Sequence, residues 1–245
     1  MAEIALEVKD LYVTYSSMKT YSIKKNLLSL KKAEREKIEA VKGISFTLEK
    51  GKVLGVVGKN GSGKSTMLKS IAGIFAPDSG TVDLKGNSIS LMSIGVGFNK
   101  ELTGRENIAL SGLLLGFTEE EIEKKTARII KFSELGSFID LPVRTYSSGM
   151  YSKLAFSITA ILETDIMLVD EVLSVGDARF KRKSLKKMKS LIEDENRTVI
   201  IVSHSSSTIK SLCDTILWID EGKQVMFGPI DEVYPKYEEF MDKDN

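Results

Sequence analysis

Gly58, Lys59, Asn60, Gly61, Ser62, Gly63, Lys64, Ser65 and Thr66 form an unbroken run in which Gly58 and Gly63 bracket four residues and a lysine and two hydroxyls follow. That spacing suits one chemistry. Glycines let the backbone wrap so that successive N–H groups point inward at phosphate oxygens, and a helix beginning there adds its positive end. Lys64 would then reach the β and γ phosphates of a nucleoside triphosphate, and the Ser65 hydroxyl would ligate Mg²⁺. A second group, Asp170 and Glu171, ends the apolar run Ile166 to Val169. Asp170 suits a hold on Mg²⁺, and Glu171 is placed to orient or deprotonate an attacking water. An acidic pair alone is usually a solvated loop; behind a buried strand and beside a phosphate loop it reads as catalytic. His204, the one histidine, follows the apolar run Thr198 to Val202.

These groups need elements that bring distant segments together. Val53 to Val57 is a continuous apolar run suited to a central parallel strand, running directly into the glycines. A helix is expected from Gly63 to about Ala72, and Pro77 to Gly80 reads as a turn. Residues 4 to 15 alternate weakly and predict one or two short strands. Further strands are expected at Gly43 to Leu48, Thr81 to Leu84, Ile89 to Met92, Ile166 to Val169, Thr198 to Val202, Ile216 to Ile219 and Gln224 to Phe227. Helices are expected at Ala178 to Ile192, Ser206 to Leu212 and Asp231 to Met241. From Gly104 to Leu162 the pattern is mostly helical, broken near Gly136 and Pro142. The fold class is α/β, with a sheet core over 1–99 and 164–228, a helical lobe inserted over 100–163 and a C-terminal helix over 229–245. No internal repeat or low-complexity segment interrupts this reading.

Composition narrows the partners. Among 245 residues, 35 are Lys or Arg and 34 Asp or Glu, for a net charge of +1, which argues against a protein built to grip nucleic acid. The longest nearly uninterrupted apolar run, Ile108 to Phe117, falls short of the ~20 residues a bilayer crossing requires. The N-terminus lacks signal-peptide character, and the single Cys213 has no internal disulfide partner. A cytoplasmic protein is expected. The even overall charge conceals a local excess: Met18 to Glu39 holds seven basic residues (Lys19, Lys24, Lys25, Lys31, Lys32, Arg35, Lys37) against Glu34, Glu36 and Glu39. With Ile23, Leu27, Leu28 and Leu30 toward one face, residues 18–39 predict a basic amphipathic helix.

The phosphate loop, the Asp170–Glu171 pair and the segment Tyr146, Ser147, Ser148, Gly149, Met150 together resemble the ATP-binding cassette ATPases, over nearly the whole chain. The resemblance implies a P-loop NTPase with a RecA-like, mostly parallel sheet, an antiparallel β subdomain and an inserted helical lobe. It further implies that Ser147, Ser148 and Gly149, a variant of the family's signature, close over the γ phosphate of ATP bound to a second copy of the chain. By the same resemblance His204 senses the γ phosphate, Asp177 belongs to a loop crossing the dimer interface, and Tyr15 stacks on adenine, with Tyr12 and Tyr21 as rivals. The family normally has a glutamine between phosphate loop and signature. Here the sole glutamine is Gln224, and Asn99 is the candidate to replace it at Mg²⁺.

The signature variant, the segment Gly97 to Asn107 and the basic insertion resemble the subgroup that exports polysaccharides and teichoic acids, the wall teichoic acid exporters among them. The implied protein is a bacterial ATPase, peripheral on the cytoplasmic face of the plasma membrane. It would form a homodimer attached to two copies of an integral membrane permease, and it would use ATP and Mg²⁺. A basic helix at that surface would be attracted to anionic head groups. Because the sequence stops soon after its last expected strand, polymer recognition is expected mainly in the partner. A cassette exporting another lipid-linked polysaccharide such as O-antigen, a soluble non-transport cassette and a non-hydrolysing regulator are the competing readings.

Overall fold

The computed structural model describes residues 3–17, 36–92, 97–170, 176–194, 196–203 and 205–243. A parallel sheet is dictated by the short, wholly buried apolar runs. β3 (Val53–Val57), β6 (Ile166–Asp170) and β7 (Thr198–Val202) are flanked in space by β5 (Ile89–Leu91) on one side and by β8 (Thr215–Asp220) and β9 (Lys223–Pro229) on the other, in the order β5-β6-β7-β3-β8-β9. All neighbours are parallel except β8 and β9, which form a hairpin. A parallel sheet must be covered on both faces. One face meets a second, antiparallel sheet with strand order β2-β1-β4, made of β1 (Ile4–Ser17), β2 (Glu36–Glu49) and β4 (Ser79–Asp83). Helix α1 (Lys64–Ile71) contributes Met67, Leu68 and Ile71 to the core between them, beside Leu54, Val56, Leu168, Ile200 and Leu217.

Three helical segments form the inserted lobe: α2 (Gly104–Leu114), α3 (Glu119–Ser133) and α4 (Ser148–Leu162). Capping boxes start two of them. Thr103 with Glu106 and Thr118 with Glu121 each satisfy helix N–H groups reciprocally. Two 3₁₀ turns, Gly136–Asp140 and Val143–Thr145, account for the breaks expected near Gly136 and Pro142. The lobe has its own cluster around Ile108, Ile129, Leu154 and Ile158. On the other face of the parallel sheet lie α5 (Ala178–Ile192), α6 (Ser206–Leu212) and α7 (Ile230–Lys243).

Three local readings change. Residues 4 to 15 belong to one long, 14-residue strand rather than one or two short ones. The weak alternation has a cause: Asp10 takes a positive φ of 45° and the register shifts between Val8 and Leu11, so both those side chains face inward. Gly80 is in strand β4 instead of a turn, lying against the carbonyl of Asp10 so closely that a Cβ would sit 2.1 Å from it. The basic helix expected over 18–39 ends too late: Glu36 to Glu39 open β2 and pair with β1 up to Ser17 opposite Glu36. Residues 18–35, which carry most of that expectation, lie outside the described residues.

Leu54, fully buried between the sheets, reports on this core. Leu54→Ala is expected to lower the unfolding free energy by about 2–5 kcal/mol, read as a fall in the urea midpoint.

Candidate functional site

The phosphate loop leaves the C-terminal end of β3 and enters α1, whose N-terminus at Gly63 carries no side-chain cap. Its amides are therefore available to an anion. The loop is wedged between two other backbones. A Cβ on Gly58 (φ 151°) would lie 2.0 Å from the Ile219 carbonyl oxygen, and one on Gly63 (φ 102°) would lie 2.2 Å from that of Ala40. Gly61 also has a positive φ, 79°, but faces open space. Gly222, in the β8–β9 turn, donates its N–H to the Ser62 carbonyl at 3.0 Å and accepts from the Lys42 N–H at 2.8 Å. Both sheets thus meet at this loop.

A cleft of about 310 Å³ opens above it, lined by Asn60, Gly61, Ser62, Gly63, Lys64, Ser65 and Thr66 with Tyr15, Ile38, Ala40 and Val202. Lys64, only 7% exposed, folds back and donates to the carbonyls of Gly58 and Lys59, both at 2.7 Å. The buried Ser62 hydroxyl has no hydrogen-bond partner. Ser65 donates to Asp170 at 3.1 Å, joining the loop to the end of β6. The Tyr15 hydroxyl donates to Thr66 Oγ1 at 3.0 Å, with its ring edge-on to Phe75. Tyr12 packs against Gly43 and is not among the residues lining the cleft. Glu171, His204 and Tyr21 lie outside the described residues.

The geometry fits a nucleotide and Mg²⁺: a glycine cradle that side chains would fill, an ammonium within it, an orphaned hydroxyl, and a hydroxyl–carboxylate pair. No group of three or more His, Cys, Asp or Glu side chains able to hold a metal occurs among the described residues. Asn99 is not brought to it. Its side-chain oxygen accepts the Glu101 N–H at 3.0 Å, and its backbone is clamped by Asn107. Asn99 therefore forms a local turn entering α2 and is not among the residues that line the cleft.

Ser147, Ser148 and Gly149 start α4 on the lobe, away from the cleft lining. Ser147 accepts the Met150 N–H at 3.2 Å, and both serines are exposed. A residue that sequence reasoning passed over connects them to Asp177. Lys153, one turn along α4, bonds Asp177 Oδ2 at 2.6 Å, while Asp177 Oδ1 accepts the N–H groups of Arg179 and Phe180 and caps α5. The Lys153 ammonium, then the two backbone donors, hold the Asp177 carboxyl down at about 2. A basic residue at that helical spacing from the signature was the available signal.

A profile of the ABC transporter family matches residues 41–174, more than half of the chain. The chain belongs to the ATP-binding cassette family. It is 46% identical to the O-antigen export system ATP-binding protein RfbB of Myxococcus xanthus, over 82% of this chain and 46% of that protein. It is 45% identical to the teichoic acids export ATP-binding protein TagH of Bacillus anthracis, over 84% of this chain and 37% of that protein. The chain thus spans less than half the length of these two relatives. Among solved structures, a dimeric ATP-binding cassette in a post-hydrolysis state with ADP and phosphate superposes with a TM-score of 0.68, at 21% identity, over 92% of this cassette and 98% of that chain. The mostly parallel P-loop NTPase core with its antiparallel sheet and inserted helices is the shared fold.

Gly63→Ala is expected to strain the loop by about 1–3 kcal/mol and push it off Ala40, weakening ATP binding roughly tenfold or more by calorimetry. Gly61→Ala, which meets no neighbour, is expected to lose less. The Asp177 pair has a signed pH dependence. Its carboxyl is lowered from an ordinary 3.8 to about 2, so its contribution to stability is complete above about pH 4 and disappears as pH falls through 2. In Lys153→Met the Asp177 midpoint, followed by carboxyl NMR, is expected to rise toward 3.8.

Proposed function

We propose that this cassette is the ATP-hydrolysing subunit of an exporter that carries a lipid-linked teichoic acid, a polyol-phosphate polymer, across the plasma membrane. The names of its relatives support an export role, and the near-equal identity to a teichoic acid and an O-antigen exporter keeps a lipid-linked O-antigen polysaccharide as the second reading. The observation that carries the mechanism is the separation of the glycine loop from the start of α4. Asn60 to Thr66 line a cleft, while Ser147, Ser148 and Gly149 at the exposed N-terminus of α4 are not among its lining residues. One chain therefore supplies half of an enclosed site, and a second copy supplies the other half.

In this reading Lys64 exchanges the carbonyls of Gly58 and Lys59 for β and γ phosphate oxygens, and the α1 N-terminus donates its amides to the same group. Mg²⁺, held by Ser65 and Asp170, would offset phosphate charge. Tyr15, fixed by Thr66 and Phe75, presents a ring to adenine. Glu171 orients and deprotonates the attacking water, and His204 contacts the γ phosphate. Asp177, pinned to α4 by Lys153, carries closure from the signature helix to the adjoining loop. Among the described residues no helix is long and apolar enough to cross a membrane; in this reading translocation runs through a membrane permease, two copies for a homodimer, at the cytoplasmic membrane surface. Exposed Ile74 and Leu114 beside the cleft between α1 and the lobe offer it an apolar contact.

Glu171→Gln is expected to bind ATP, abolish turnover in the complex with the permease, and elute as a dimer in saturating ATP and Mg²⁺. A monomer under those conditions would sink the two-copy site, and undiminished turnover would remove Glu171 from catalysis. Depleting the protein in cells and analysing the lipid-linked polymer that accumulates inside separates the substrates: a phosphate-rich polyol chain supports teichoic acid, and a phosphate-poor glycan supports the O-antigen reading.

A further inference from the structure

Helix α7 places Tyr234, Tyr237 and Phe240 on one stripe, three residues apart. The stripe covers Trp218 of β8, the only tryptophan in the chain: ring centroids lie 5.7 Å from Tyr237 and 5.0 Å from Phe240. The far edge of the stripe reaches the phosphate loop. Lys59 Nζ sits 4.5 Å from the Phe240 ring centroid. Lys59 is one of the two residues whose carbonyls hold Lys64. One residue away on the same helix, Glu238 accepts from Lys210 Nζ at 2.8 Å and from the Ser206 hydroxyl at 3.3 Å, both on α6, the helix after β7. Lys210 also lies over the Tyr234 ring. One helix thus grips the loop before α1 and the element that follows β7.

We propose that α7 is a positioning element of the nucleotide site: Phe240 braces Lys59 so that the loop presents Lys64, and ATP occupancy is coupled in return to the packing of α7 on Trp218. This rests on the nucleotide-binding reading above. A cation over an aromatic face at a partly exposed site contributes about 0.5–1 kcal/mol, which corresponds to a two- to fivefold change in affinity. Coupling between two sites is reciprocal, so ATP binding must disturb the Trp218 environment. Trp218 is therefore a built-in reporter.

The test titrates the 245-residue chain with Mg²⁺-ATP, following Trp218 emission and, separately, bound radiolabelled ATP. Wild type is expected to show an emission change that saturates with ATP. Phe240→Leu keeps an apolar cover on Trp218 but offers no ring face to Lys59. It is expected to raise the ATP Kd two- to fivefold with its melting temperature close to wild type, and in the permease complex to raise KM while leaving kcat unchanged. Phe240→Tyr, which keeps the ring, is expected to restore the wild-type Kd. Combining Lys59→Met with Phe240→Leu is expected to cost less than the sum of the single changes. Wild-type affinity in Phe240→Leu, an equal loss in Phe240→Tyr, or additivity in the double variant would each overturn the brace. Failure of the wild type to bind ATP would instead overturn the nucleotide site itself.

Discussion

Everything in the site depends on two close backbone approaches. Gly58 lies against the carbonyl of Ile219 and Gly63 against that of Ala40, at separations no side chain could share. Ile219 belongs to the parallel sheet and Ala40 to the antiparallel one, so the loop is the point where the two sheets are joined. Gly222 closes the joint by bonding both Ser62 and Lys42. The curvature that points amides at a phosphate is therefore imposed by packing of the surrounding backbone, before any ligand arrives. Pre-organisation of this kind removes the ordering cost from binding.

The same joint explains why a strand as long as β1 is needed. Tyr15 lies at the far end of the hairpin that β1 forms with β2, and the hairpin also carries Ala40 and Ile38 to the cleft. The Tyr15 ring and the glycine loop are thus set by one ribbon. Lys64 shows the complementary economy. A buried ammonium with no partner would be strongly penalised, and the Gly58 and Lys59 carbonyls satisfy it at 2.7 Å each. Phosphate oxygens taking their place would leave the number of bonds unchanged, so the net gain would reflect charge attraction more than hydrogen-bond number.

The elements that follow from short-range pattern were legible in the residues. Val53–Val57, Ala178–Ile192, Thr198–Val202 and Ser206–Leu212 are found with the bounds the pattern predicts, because each is bounded by local chemistry and buried along one face or on both. The β1 bulge at Asp10 was not legible, since a positive φ at an aspartate is selected by the opposing strand and Gly80 rather than by its neighbours. The start of β2 was misjudged because Arg35, Lys37 and Glu39 continue a charge run that helices and exposed edge strands share. The phosphate loop and Asp170 could be named from spacing alone, and the structure adds their contact through Ser65. Lys153 and Phe240 act through tertiary partners 24 and 181 positions away by number, and no local pattern encodes such contacts.

Lys153 bears on how a site shared between two chains could close. Its ammonium is largely covered, with 16% of the side chain exposed, while Asp177 remains 58% exposed. An ion pair so placed contributes little to stability by itself. Its geometry does more, because Asp177 simultaneously caps α5 through Arg179 and Phe180 and Lys153 rides on the helix begun by Ser148. Phe180 packs against Phe132 and Phe156 beneath the pair, filling the seam between the lobe and α5. The start of α5 is therefore tied to the signature helix by a charge above and aromatic rings below. A displacement of α4 toward a nucleotide on a second chain would carry Asp177 with it, since a packed seam of this kind moves as a body rather than stretching.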